Sequence, residues 1–209
     1  VIERRARKRA EILEVADRVV RREGPGASVN QIAAESGIAK PVLYRIFGDK
    51  GGLYQAIAER YVRQLMENLR TALVDEAPGR PRIQATIDTY MTFVEDNQEV
   101  YRFLMHRAVG EHPEAQATVS DFIGQVANEV AIVLGEELRS NGLDSGPAEP
   151  WAHGIVGFVE LAGDWWLQNR SMPRERLVTY LTDLLWKGFS GTASDYLESR
   201  PQRTAQDSA

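Results

Sequence analysis

The stretch Ser28-Val29-Asn30-Gln31-Ile32-Ala33-Ala34-Glu35-Ser36-Gly37-Ile38-Ala39-Lys40-Pro41-Val42-Leu43-Tyr44-Arg45-Ile46-Phe47-Gly48-Asp49-Lys50 decides how this chain folds. Ser28, with Gln31 three residues on, forms a capping box: the serine accepts from the N3 amide and the glutamine reaches back. A short helix is therefore predicted from Ser28 to Glu35. A turn follows at Ser36-Gly37-Ile38, then a second short helix from Ala39 to Phe47. Ala33 is small where two helices meeting at a corner come closest, and Gly37 is free to take the left-handed conformation the corner needs. Ile32, Ile38, Leu43 and Ile46 are then the apolar positions that hold both helices on a preceding one.

With Leu43, Ile46 and Phe47 turned inward, Lys40, Pro41, Tyr44 and Arg45 face out. Lys and Arg reach phosphates or guanine edges, and Tyr donates to a phosphate or presses on a thymine methyl. Pro41 lies in the first turn, where its missing amide leaves no helical bond unmade. Residues 1–50 hold 11 Lys and Arg against 7 Asp and Glu, a balance of +4, while the other 159 hold 14 against 23, a balance of −9. A basic module on an acidic body, net −5 in all, points to a polyanion partner at one end only.

Gly37 through Lys50, with Leu43-Tyr44, Phe47 and the closing lysine, resembles the DNA-binding segment of the tetracycline-repressor (TetR) family. The resemblance covers about residues 3 to 60 by motif. It implies a three-helix DNA head, a fourth helix connecting it to a ligand-binding body, and last two helices that pair with a second subunit's as a four-helix bundle. It also implies Lys40, Tyr44 and Lys50 as DNA contacts with Ser28 and Gln31 near phosphates; Pro41 and Arg45 complete the candidate DNA-facing set. The chain departs from the family pattern at Arg45 and Ile46, where an aromatic or His is frequent. It departs again at Gly51-Gly52, where acidic or small helix formers usually follow the lysine; each glycine costs roughly 1 kcal/mol in a helix interior, less at a terminus. Arg4, Arg5, Arg7, Lys8 and Arg9 are candidates for an arm on phosphate or in the minor groove. The i, i+4 pairs Arg7 to Glu11, Glu14 to Arg18 and Asp17 to Arg21 fit a solvated helix surface equally well.

Elsewhere apolar residues recur at helical spacing and no run alternates as a strand does, so the chain reads as all-α. The first helix is expected from Glu3 to Glu23, with Ala6, Ala10, Leu13, Ala16 and Val20 on its inner stripe, and Gly24-Pro25-Gly26 ending it. Asp49 caps a long fourth helix that carries Leu53, Ile57, Tyr61, Leu65, Leu69 and Leu73 and stops before Pro78-Gly79-Arg80-Pro81. Further helices are expected at 83–97, 99–109, 113–141, 150–169 and 173–188, the last two as a hairpin. The division is a head at 1–50, an effector-binding and dimerisation body at 51–192 and a polar tail at 193–209. Gly154, Gly157 and Gly163 permit close helix approach, either within the chain or in a homodimer face at about 150–190.

The body is rich in large apolar side chains, and such a set either packs as core or lines a mainly apolar cavity. Met91, Phe93, Phe103, Phe122, Phe158, Trp165 and Trp166 are the candidate effector pocket, joined by Tyr90, Tyr101 and Met105 in the same aromatic-rich group. The expected ligand is small and lipophilic: an acyl chain, an aromatic or a drug-like compound. Glu160, Asp164, Asn128, Gln125 and His106 are candidate polar contacts.

With no cysteine, the chain has no disulfide, thiolate nucleophile or Cys-ligated zinc. His106, His112 and His153 lack zinc-ligand spacing, and Gly188-Phe189-Ser190-Gly191 lacks the frame of a nucleophile elbow. The longest uncharged apolar run, Pro150 to Val159, falls short of the ~20 residues a membrane helix needs. These readings predict no enzyme, no cofactor, no metal, no membrane span and a cytoplasmic location. The expected function is a homodimeric, ligand-responsive transcriptional regulator, foremost a repressor, binding a palindromic double-stranded DNA operator through residues 28–50. Two alternatives stay open: a DNA-binding regulator without a small effector, whether activator or protein-partnered, and an all-helical lipid or small-molecule carrier.

Overall fold

A Gly-Pro-Gly stop, a serine cap and two glycines at positive φ divide the first fifty residues into three helices. The computed structural model describes residues 2–105 and 109–198, which are helical with no strand among them. The helices are α1 Ile2–Glu23, α2 Val29–Glu35, α3 Lys40–Phe47, α4 Lys50–Asp75, α5 Arg80–Asp96, α6 Gln98–Phe103, the single turn α7 Val109–Glu111, α8 Pro113–Ser140, α9 Ala148–Asn169 and α10 Arg174–Glu198. A 3-10 turn at Gly24–Gly26 follows α1.

Two boundaries differ from expectation for identifiable reasons. Pro147 is the N-cap of α9 and Pro150 lies in its first turn, so the helix starts at Ala148 without losing a hydrogen bond. The helix expected to stop at Gly188 runs on to Glu198, because no proline follows that glycine within it and the two interior glycines, Gly188 and Gly191, cost only about 1 kcal/mol each. The tail expected from residue 193 thus begins as helix, and its residues from 199 lie outside the described ones.

Ile12, Val15, Ala16, Val19 and Val20 of α1 meet Ile32, Ala33 and Leu43 in a buried core. Ala6 and Ala10, expected on the same stripe, are exposed, because the first turns of α1 extend past the helices that cover the rest. Burying a side chain such as Leu43 contributes about 1.5–3 kcal/mol. This core continues through Leu53, Tyr54, Ile57 and Tyr61 of α4 into Val100 and Phe103 of α6 and Ala115 of α8, so the head is packed directly onto the body.

In the body, α4 lies chiefly against α5 and α8, α8 against α9, and α5 against α10. The hairpin expectation for the last two helices is corrected accordingly. They meet mainly through Trp166, Leu177, Val178 and Leu181, while Arg174 on α10 bonds Asp88, Thr92 and Glu95 of α5. Trp166 closes the connecting turn by donating from Nε1 to the Met172 carbonyl at 2.8 Å. By length and hydropathy, α8 passes the composition test for a membrane span. Its apolar residues Val119, Phe122, Ile123, Val126, Val130 and Val133 line an internal cavity, which accounts for that composition.

Candidate nucleic-acid interface and effector cavity

The corner between α2 and α3 is built as the sequence reading requires. Ser28 Oγ accepts from the Gln31 amide at 3.3 Å, and Gln31 Oε1 accepts from the Ser28 amide at 2.9 Å. At the other end of α2, Gly37 takes φ +64°, and the Gly37 and Ile38 amides donate to Ala34 and Ala33 carbonyls at 3.1 Å each. That is the bonding of a Schellman stop, which needs a residue free to occupy the left-handed region. Leu43 is buried and Ile46 and Phe47 pack partly behind it, while Lys40, Pro41 and Arg45 are exposed and Tyr44 is half-buried. The Lys40 ammonium lies 5.6 Å from the Tyr44 ring centre. Along its length α3 thus offers a cation, a phenol and a guanidinium on a short helix.

The basic start of α1 lies beside this helix. Arg5 donates to the Arg45 carbonyl at 3.1 Å, and the Arg9 guanidinium sits 5.3 Å over the Phe47 ring. Arg4 and Arg7 are exposed, and Lys8 pairs with Glu11 at 3.2 Å. Glu14 bonds Arg60 of α4 at 2.8 Å rather than Arg18, and that hydrogen bond holds its carboxyl below the usual range. Lys50 is engaged by the body: its ammonium pairs with Glu111 at 2.7 Å and lies 5.3 Å from the Tyr54 ring centre. Half-exposed pairs of this kind are worth about 0–1 kcal/mol, so a phosphate competes for the lysine readily.

Gly51-Gly52, a departure from the family pattern, has a steric cause. Asp49 caps α4 by accepting from the Gly52 amide at 2.8 Å, which draws the helix start against the end of α3. A Cβ on Gly52 would fall well inside contact distance of the Phe47 carbonyl oxygen. Gly52→Ala is therefore expected to destabilise the protein by about 1–3 kcal/mol through overpacking, outweighing alanine's ~1 kcal/mol gain in helix propensity. A fall in urea midpoint at unchanged m-value checks it; a rise would show that α4 moves away without cost.

In the body, α4, α5, α8 and α9 enclose a cavity of about 670 Å³. Its walls are apolar for most of their length, with Leu65, Leu69, Phe93, Phe122, Val126, Val130, Trp151 and Ile155 among them. Of the seven expected pocket residues, Phe93 and Phe122 lie in this wall and five do not, each for a packing reason. Met91 and Trp166 are fully buried between α5, α9 and α10, with Phe158 packed against the same cluster. Phe103 is core beneath the head, edge-on to Tyr54 at 4.8 Å. Trp165 points outward and is 47% exposed.

Among the expected polar contacts, Glu160 lines the cavity and Asp164 lies one helical turn on; Asn128 and Gln125 are exposed, and His106 lies outside the described residues. The sequence reading missed Tyr61, Arg82, Glu137 and Asn141 as lining residues, although Tyr61 was already visible on the inner stripe of α4. Burial, then the charge of Asp164, raises the Glu160 pKa. Tyr101 is pushed up to about 12, chiefly by burial. Tyr90 is near enough to affect that ionisation, yet the buried Tyr101 hydroxyl makes no well-aligned hydrogen bond among the described residues.

Tyr61 joins the cavity to the head. Its ring lies edge-on to Phe93 at 6.2 Å, and its hydroxyl donates to Asp17 of α1. Arg21 of α1 bonds Asp17 at 3.1 Å and Asn97 at 2.7 Å, and its guanidinium lies 5.7 Å from the Tyr61 ring centre.

Residues 12–57 match the family model for bacterial regulatory proteins of the tetR family, and residues 68–201 match the tetracyclin repressor-like C-terminal domain. An uncharacterized HTH-type transcriptional regulator of Mycobacterium tuberculosis is 33% identical over 185 residues, covering 88% of this chain and 78% of that protein. The HTH-type transcriptional activator FasR of Mycolicibacterium smegmatis is 30% identical over 190 residues, covering 89% and 84%. Among solved structures, the Bacillus subtilis regulator FadR in complex with stearoyl-CoA superposes with a TM-score of 0.70 at 17% identity, covering 86% of this chain and 98% of that one. A tetR-family regulator from Streptomyces coelicolor gives 0.69 at 21% identity, covering 90% and 85%. The helix-turn-helix at its start and the helical body behind it place this chain in the TetR family of transcriptional regulators, which are DNA-binding transcription factors and not enzymes.

Proposed function

We propose that the protein is a homodimeric repressor, acting in the cytoplasm, that binds a palindromic operator through Ser28, Gln31, Lys40, Pro41, Tyr44, Arg45 and Lys50 and leaves it when a lipophilic ligand fills the body cavity. The observation that carries this reading is Tyr61, a cavity wall residue whose hydroxyl bonds α1 of the head. A ligand pressing on the Tyr61 and Phe93 rings favours one position of α1 over another, and with it one spacing of the two heads. The coupling needed is modest: about 1–3 kcal/mol changes operator affinity about 5- to 150-fold. A long acyl chain is the favoured ligand, on the apolar wall here and on the stearoyl-CoA bound to the Bacillus subtilis FadR.

Dimerisation is assigned to α9 and α10. Gly154, Gly157, Leu161 and Trp165 follow at helical spacing on α9 with nothing among the described residues packed on the two glycines, and Tyr180 and Leu184 are exposed one turn apart on α10. Gly163 serves a different purpose, since Tyr90 and Met91 of α5 pack against it.

The test begins with selection of bound duplexes from a random library, followed by titration of the selected site with stearoyl-CoA. Operator affinity is expected to fall 5- to 150-fold at saturation. In Tyr61→Phe, ligand binding is expected to persist while that fall shrinks several-fold. Unchanged operator affinity in the wild-type protein at saturating ligand would sink the proposal. A second reading, an activator that stays on its site, is favoured by the name of the 30%-identical FasR. Transcription in vitro from a template carrying the selected site separates the two.

A further inference from the structure

The cavity is polar at both ends, and the two ends differ. Its outer end holds Arg82, Glu137 and Asn141, and of the lining residues there Asn141 and Asp144 are exposed. Its inner end lies beside the head, walled by the buried Tyr61 and Leu104, and holds Tyr90, Tyr101 and Glu160. The wall on α4 alone runs from Tyr61 to Leu73, a helical length of about 18 Å. An elongated ligand therefore meets one polar group on entry and another at the far end of an apolar passage.

The inner group has a definite hydrogen-bonding character. The Tyr101 hydroxyl is buried beside that of Tyr90, and no well-aligned acceptor for its own proton lies among the described residues, so part of its hydrogen-bonding capacity is unmet. Glu160 contributes carboxylate oxygens that only accept, and with Asp164 it makes the neighbourhood unfavourable for an anion. A plain methyl terminus satisfies neither residue, and a carboxylate or phosphate is repelled. A hydroxyl serves both, because it accepts from one neighbour while donating to another.

We propose that this inner end is a subsite for a hydroxyl on the lipophilic ligand, accepting from the Tyr101 hydroxyl and donating to the Glu160 carboxylate. The ligand class is then a long-chain acyl compound hydroxylated far from its head group, the charged head remaining at the outer end beside Arg82. This rests on the effector reading above and narrows it.

Calorimetric titration of the full chain compares octadecanoyl-CoA with its 12-hydroxy and 18-hydroxy derivatives. One hydroxylated chain is expected to bind at least about tenfold more tightly than the parent. In Tyr101→Phe, which removes the hydroxyl and keeps the ring, that preference is expected to fall to near unity while the parent's affinity holds. Equal or tighter binding of the parent, or a preference that survives in Tyr101→Phe, overturns the subsite and leaves the effector reading standing. If none of the three binds, both fall together.

Discussion

Replacing Leu161 and Leu184 together by glutamate is expected to leave a folded monomer whose operator binding is weaker by about 100-fold or more. The two side chains are 72% and 61% exposed, so the substitution opens no cavity within the subunit. Trp166, Leu177 and Leu181, which share a buried cluster with Ile87 and Met91 of α5, are untouched. Across a two-fold bundle the same changes bury four carboxylates without partners, and each uncompensated charge costs several kcal/mol. Operator half-sites for helix-turn-helix dimers lie about 34 Å apart, so each head alone holds half of the contacts. Sedimentation velocity with fluorescence anisotropy on the selected duplex checks both outcomes. A monomer with undiminished operator affinity would mean that one head suffices.

Much of the head could be read from its residues because its constraints are local. Ser28 and Gln31 each accept from the other's backbone amide, and Gly37 takes a positive φ at the turn; these partners lie within a few residues of one another. Lys50 shows where that reading stops. Its ion pair with Glu111 spans 61 residues and depends on α7 lying against the start of α4. No spacing in the sequence indicates this. Gly52 is similar: glycine at a helix start looks like a weakness until the Phe47 carbonyl is seen lying against it.

The cavity was less legible for a physical reason. Met91, Phe103, Trp166 and Phe122 are all large apolar residues on helices, and whether one packs against a neighbour or faces empty space depends on crossing geometry. Periodicity identifies the inward stripe but not the depth. Trp165 and Trp166 are adjacent in sequence and some 100° apart around α9, so one is buried and bonded to Met172 while the other faces out. Tyr61 was visible on the inner stripe, but its link to Asp17 joins helices 44 residues apart.

The double variant Lys40→Ala, Tyr44→Ala is expected to lose most operator binding while the cavity and the dimer are unaffected. Lys40 is exposed, so its removal alters charge and reach without disturbing the core. Each direct contact to phosphate or base is worth about 1–3 kcal/mol, so the pair costs well over tenfold even where the two effects overlap. Lys40→Ala alone should weaken binding to all duplexes alike and lower the salt slope by about one, as loss of one phosphate contact does. Tyr44 also packs partly on the head core and lies under the Lys40 ammonium, so Tyr44→Phe is the variant that isolates its hydroxyl. If Tyr44→Phe changes sequence preference while Lys40→Ala changes only affinity, the phenol reads bases and the lysine positions the helix. Undiminished operator binding by the double variant would move the DNA contacts away from Lys40 and Tyr44, to the basic start of α1 and to Lys50.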